Sequence, residues 1–110
     1  MKRPVIDPGA FSALLTVEQA VEVADGQGGV IRTHAATAAV WARIEPATAD
    51  RVLAAGAQAM TVTHRIWLRH RSDLRSGMRL RKGARVFEIR TFRDPDETAR
   101  YLVCECEETE

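Results

Sequence analysis

Short runs of alternating apolar and polar residues, each broken by a glycine- or proline-bearing turn, recur along most of this chain. Alternation with a period of two puts every second side chain on one face of a strand, so such a chain must fold by pairing half-buried strands. From Leu14 to Val23 the odd positions read Leu15, Val17, Gln19, Val21 and Val23, with Thr16, Glu18 and Glu22 between them. Thr37 to Glu45 sets Val40, Ala42 and Ile44 against Trp41, Arg43 and Glu45. Val62 to Arg69 is the clearest case, with Val62, His64, Ile66 and Leu68 on one face and Thr63, Arg65, Trp67 and Arg69 on the other. Met78-Arg79-Leu80, Arg85 to Phe92 and Tyr101 to Cys106 follow, separated by turns at Lys82-Gly83 and Asp94-Pro95-Asp96.

Two segments break the rhythm. Asp25-Gly26-Gln27-Gly28-Gly29 permits positive φ and reads as a hairpin reversal that projects from the first two strands. A phosphate-binding loop would need a helix and a Lys-Ser/Thr pair to follow; Val30-Ile31-Arg32-Thr33 follows instead. The second segment comes after Pro46, which is expected to end its strand. Ala47-Thr48-Ala49-Asp50-Arg51-Val52-Leu53-Ala54-Ala55-Gly56-Ala57-Gln58-Ala59-Met60 is alanine-rich, with Thr48 or Asp50 placed to cap a helix. Gly56 weakens such a helix by about 1 kcal/mol relative to alanine, so its structure is expected to depend on its surroundings. About six strands, one short interposed helix or mobile loop and no βαβ rhythm predict a mainly β fold, a small antiparallel β-barrel. Residues 1–13 read as an irregular N-terminal arm and residues 14–108 as one domain.

The length of 110 residues suits one modest core. No apolar run reaches the roughly 18–20 residues of a membrane span, and Asp7, Pro8 and Gly9 interrupt any secretory signal, so no membrane partner and no export are expected. The net charge is only +1 but is unevenly spread. Between Arg65 and Arg93 stand ten cations and two anions, Asp73 and Glu88, after which Glu105, Glu107, Glu108 and Glu110 reverse the sign. The basic stretch suits a nucleic acid, the acidic end of a neighbouring subunit, or a solvated strand face.

The residues that could carry chemistry do not assemble into a site. His34, His64 and His70 lack metal-ligand spacing, and the lone pair Cys104 and Cys106 reads as buried free thiols. Ser12, Ser72 and Ser76 sit in no nucleophile elbow, and no two carboxylates share an apolar pocket. No catalytic residue, metal or cofactor is expected, and the chain reads as a non-enzyme. For nucleic acid, Trp67 between Arg65 and Arg69 is the best local case, which keeps a nucleic-acid-binding small β-barrel as an alternative.

The order of these features carries a resemblance. Val40-Trp41-Ala42-Arg43-Ile44-Glu45-Pro46, the alanine-rich segment, Thr61 to Arg69, Gly77-Met78-Arg79-Leu80, Gly83 to Ile89 and the closing Tyr101 to Glu107 together resemble the phage head-tail joining (head completion, stopper) family. The match covers roughly residues 14–108, and Asp25 to Gly29 looks like that family's first hairpin. Gly9 to Leu14 lacks the two arginines that often lead into its first strand. The resemblance implies a homo-oligomeric ring, six- or twelve-fold, that joins portal-adaptor proteins on the head side to tail terminator or tail proteins on the other. DNA would pass through its channel, and Ala47 to Met60 would supply the segment that closes it. It implies a place at the head-tail junction of a virion or phage-like particle assembled in the bacterial cytoplasm, from a phage, a prophage or a gene transfer agent. Arg69, Arg71, Arg75, Arg79 and Arg81 are the expected ring or partner contacts. A tail-completion protein of similar type is the other alternative.

Overall fold

The computed structural model describes residues 8–55 and 58–109. After a single 3-10 turn at Pro8–Ala10, six strands follow: β1 (Ala13–Ala24), β2 (Val30–Ala55), β3 (Gln58–Arg69), β4 (Arg79–Lys82), β5 (Arg85–Arg93) and β6 (Tyr101–Glu108). All neighbours are antiparallel, and the ladder runs β1-β2-β3-β6-β5-β4 and back to β1. The expected phase holds where strands meet the core. Leu15 and Val17 of β1, Ile66 and Leu68 of β3 and Phe87 and Ile89 of β5 are buried, joined by Leu102, Cys104 and Cys106 of β6. Burying such side chains contributes about 1.5–3 kcal/mol each relative to leaving them in water.

Two expectations fail. The chain does not form a compact barrel with an interposed helix: its strands close a ring of hydrogen bonds, but much of the longest strands lies outside that ring. The closing seam between β1 and β4 holds only Thr16↔Arg81, Val17↔Leu80 and Glu18↔Arg79. Beyond it β1 and β2 continue as a two-stranded ribbon to the turn at Asp25–Gly29, and β2 and β3 continue as another beyond Pro46 and His64. The described chain accordingly extends 56 × 32 × 25 Å.

The second failure is the helix over Ala47 to Met60. Described residues there continue β2 and begin β3, paired from Arg51↔Val62 to Ala55↔Gln58; Gly56 and Ala57 lie outside the described residues. Nor does Pro46 end β2. It pairs with His64, and the register then jumps to Arg51↔Val62. Proline cannot donate to a ladder, so it is tolerated at such an irregularity. A short alanine-rich helix is marginal in water, whereas strand pairing satisfies the backbone groups on the inner edges of this hairpin.

The ladder with β1 and the far ladder with β3 stand at opposite ends of β2. At the turn that leads into the first, Asp25 Oδ1 accepts from the amides of Gln27 at 2.7 Å and Gly29 at 3.0 Å. Gly26 and Gly28 hold φ of 82° and 83°, a region that a side chain would strain.

Candidate interaction surface

The charge asymmetry of the sequence is largely consumed inside the fold. Strand β6 carries the acidic run between the arginine-bearing strands β3 and β5. Glu105, 3% exposed, accepts from Arg65 Nε at 3.2 Å and has Arg93 at 3.6 Å on its other side. Glu107 pairs with Arg90. Glu108 takes Arg85 through two contacts, 2.8 and 3.1 Å. The Arg85 hydrogen bond holds the Glu108 carboxyl below its ordinary range. A strand that spends its carboxylates this way is not a free acidic face for a neighbouring ring.

A second arrangement sits on the seam. Arg79 and Arg81, two apart on β4, share one face and converge on Glu18, with Nε to Oε distances of 2.6 and 3.2 Å. Burial alone would raise the Glu18 carboxyl; the hydrogen bonds and charges of the two guanidinium groups outweigh it and hold it low. The sequence signal was present in the Arg-x-Arg spacing and the lone Glu18, but their meeting depends on the register of the seam.

The five arginines read as contacts therefore stand in different surroundings. Arg79 and Arg81 serve Glu18, and Arg71 is locked on Asp73 by bonds of 2.9 and 2.8 Å. Arg75 is exposed, with its guanidinium 3.4 Å from the Leu74 carbonyl. Arg69 is exposed and makes no ion pair with a described residue.

The aromatic residues also divide. Trp67, opposite Arg43 and Val103, is half-buried, and its Nε1 lies buried without a hydrogen-bond partner among the described residues. That is a poor platform for a stacked base, and the interleaving of Trp67 with Arg65 and Arg69 loses its force. The exposed tryptophan is Trp41, which sequence reasoning had placed only as the polar-side residue of its strand. It is 58% exposed and stands opposite Leu14, 50% exposed. Beside it a groove of about 550 Å³ is lined by Phe11, Ala39, Val40, Trp41, Arg69, His70 and Arg71. An open apolar floor with a cationic rim suits binding; His70 is the one imidazole in its lining, and no carboxylate, serine or cysteine lines the groove with it.

The other reactive side chains are used structurally. His64 lies edge-on to Phe87 at 5.2 Å and shares a hydrogen bond of 2.9 Å with Thr63. Burial, then the Arg85 charge, lowers its pKa against the pull of Glu108. Cys104 and Cys106 are free and buried, and burial pushes the Cys104 thiol up to about 12. No cluster of His, Cys, Asp and Glu among the described residues could hold a metal ion.

Comparison with known proteins agrees with a binding rather than a catalytic surface. The profile of one protein family, described as "Phage head completion protein", matches residues 6–109. A chain in the solved structure "Virion of native gene transfer agent (GTA) particle" superimposes with a TM-score of 0.67 at 30% identity, over 97% of this chain and 98% of that one. Among curated protein sequences, none matches.

Proposed function

This chain belongs to the phage head completion protein family, and on that premise we propose that its copies form a ring that joins portal-adaptor proteins to the tail and closes the DNA exit. The premise itself makes it a structural virion protein of the head-tail junction, part of a multiprotein particle and not an enzyme.

The observation that carries the proposal is the placement of two hairpins at the two ends of one strand. Strand β2 spans 26 residues, with the Asp25–Gly29 turn at its start and the ladder of Arg51–Ala55 with Gln58–Val62 at its end. A subunit built this way reaches beyond its hydrogen-bonded ring in two directions, as a part placed between two different assemblies requires. Small residues at Ala54, Ala55, Gly56, Ala57 and Ala59 let several copies of the second hairpin crowd about an axis, and that hairpin is the proposed closure. The first hairpin is the proposed contact with an adjoining ring.

The test is electron microscopy of particles carrying this chain with residues 50–59 replaced by a two-residue turn. The expected result is a ring at the junction, an open channel and heads that lose their DNA when tails are absent. Heads that keep their DNA would remove the closure role, and absence of the chain from the junction would remove the ring.

A further inference from the structure

Strand β2 outruns β3. Its pairing with β1 spans Val30 to Ala42, but its pairing with β3 starts only at Ala42↔Leu68. Over residues 30–41 the edge of β2 that faces away from β1 carries no described strand, and no loop donates or accepts backbone hydrogen bonds there among the described residues. Unpaired N–H and C=O groups of this kind are a template for another strand, and proteins blunt such edges with lysine, proline or charge. Here Ala35-Ala36-Thr37-Ala38-Ala39-Val40-Trp41 contains no charge and no proline. Its only irregularity is the register shift opposite Val17/Glu18, at Thr37.

The groove lies against this edge, where β3 stops and the chain turns away through Arg69, His70 and Arg71. Its exposed apolar side chain is Trp41; Val40 and Phe11, the latter 8% exposed and edge-on against Tyr101 at 5.5 Å, back the groove. Its rim offers Arg69, which is exposed and free of described ion partners, beside Arg71, which is already paired with Asp73.

We propose that this edge receives an extended acidic segment of another protein of the particle, added as a strand in line with β3. Its apolar side chains would lie on Trp41 and Phe11 and its carboxylates on Arg69. This deepens the ring reading and rests on it, because it names the chemistry of a partner at the junction. Strand addition takes affinity from the main chain and specificity from side-chain pockets; here the unpaired edge and the groove beside Trp41 would supply them. The chain's own residues 1–7 are a poorer match: they set two cations, Lys2 and Arg3, against the one carboxylate of Asp7, and Pro4 cannot donate to a ladder. A nucleic acid would use the cations but leave the strand edge unpaired, so an acidic peptide is the better match.

The experiment places a photo-reactive benzophenone at the exposed site, Trp41→p-benzoylphenylalanine, in particles assembled with the full chain. Cross-linked peptides are then sequenced after irradiation. The expected product joins position 41 to one segment of a different virion protein that carries Asp or Glu at alternate positions. Its yield should fall roughly tenfold with Arg69→Glu, the factor given by a loss of about 1.4 kcal/mol, and persist with Arg69→Lys. Links only to DNA, to residues 1–7, to a second copy of this chain or to a segment without carboxylates would overturn the proposal. So would no link, or an unchanged yield with Arg69→Glu, while microscopy shows the chain at the junction. Absence of the chain from the particle sinks the ring reading instead, and the proposal with it.

Discussion

Glu18 and Arg79 stand directly opposite each other across the seam that closes the sheet, with Oε1 and Nε 2.6 Å apart. The seam contains only three residue pairs, so this contact and its companion from Arg81 are a large share of what joins β1 to β4. Removing one partner of a screened, partly buried pair leaves the others desolvated and unmatched. Glu18→Ala should lower unfolding stability by about 2–3 kcal/mol, read from the urea midpoint of the isolated chain. Glu18→Gln should cost less because it keeps a hydrogen-bond acceptor. If both leave the midpoint unchanged, the seam is held by Leu80 and Val17 alone.

The same contact sets a pH dependence. The Glu18 carboxyl is held below its ordinary value of 4.5, with burial opposing and the arginines prevailing, and Glu108 is held low by Arg85. A depressed folded pKa means that the unfolded chain binds protons more readily, so stability is present above the ordinary carboxylate range and is lost as pH falls through the folded values. The urea midpoint should drop between about pH 5 and pH 3, and less steeply in Glu18→Gln. His64, whose pKa burial lowers from 6.5, adds a loss of the same sign as pH falls below that value. An equal slope in the variant would mean that Glu18 titrates normally.

Cys104 and Cys106 should resist thiol reagents. Both are fully buried, and thiolate formation at Cys104 is pushed up to about 12. Labelling with a chromogenic disulfide at neutral pH should occur only as fast as the chain opens, then run to completion in denaturant. Rapid labelling of the native chain would show that β6 is not held as described.

Arginine substitutions should separate by surroundings. Arg69→Glu and Arg75→Glu alter exposed side chains, Arg69 without a described ion partner and Arg75 with a through-space attraction to exposed Asp73, and should shift stability by less than about 0.5 kcal/mol. Arg79→Glu places a carboxylate against Glu18 and should destabilise by about 3 kcal/mol or more. Thermal unfolding of the isolated chains measures both, and particle completion measures the consequence. A particle defect in Arg69→Glu with an unchanged melting temperature is the expected signature of a contact residue.

Phe87 anchors the core from the other side, fully buried with the His64 ring at 5.2 Å and the Arg85 guanidinium 4.8 Å above its face. Phe87→Ala should cost about 3–5 kcal/mol and broaden the amide spectrum of β3 and β5 together. A small, local effect would mean that the cavity collapses.

Strand identity was legible because alternation is a local property. Ile66, Leu68, Leu102 and Cys104 announce their face by their neighbours, and they are buried as that phase requires. The family was legible from the order of such runs. What remained hidden was set by pairing between distant segments. Composition makes residues 47–60 look helical, but the alternative offered by β3 is visible only once β2 is known to continue through Pro46. The charge of β6 looks available until its register places Glu105, Glu107 and Glu108 beside Arg65, Arg90 and Arg85. Trp41 and Trp67 occupy equivalent sides of their alternating runs, yet one is exposed and the other half-buried. Only the point where β3 ends distinguishes their surroundings.

One backbone, β2, runs from the glycine turn to the far hairpin. Both hairpins therefore share one covalent backbone rather than meeting through side-chain packing. The ladders of β2 slip register opposite Val17/Glu18, within the closing seam, and at Pro46/Arg51, beyond the ring. The two slips interrupt the ladders on either side of that shared strand, so its pairing, unlike its backbone, is not continuous from end to end.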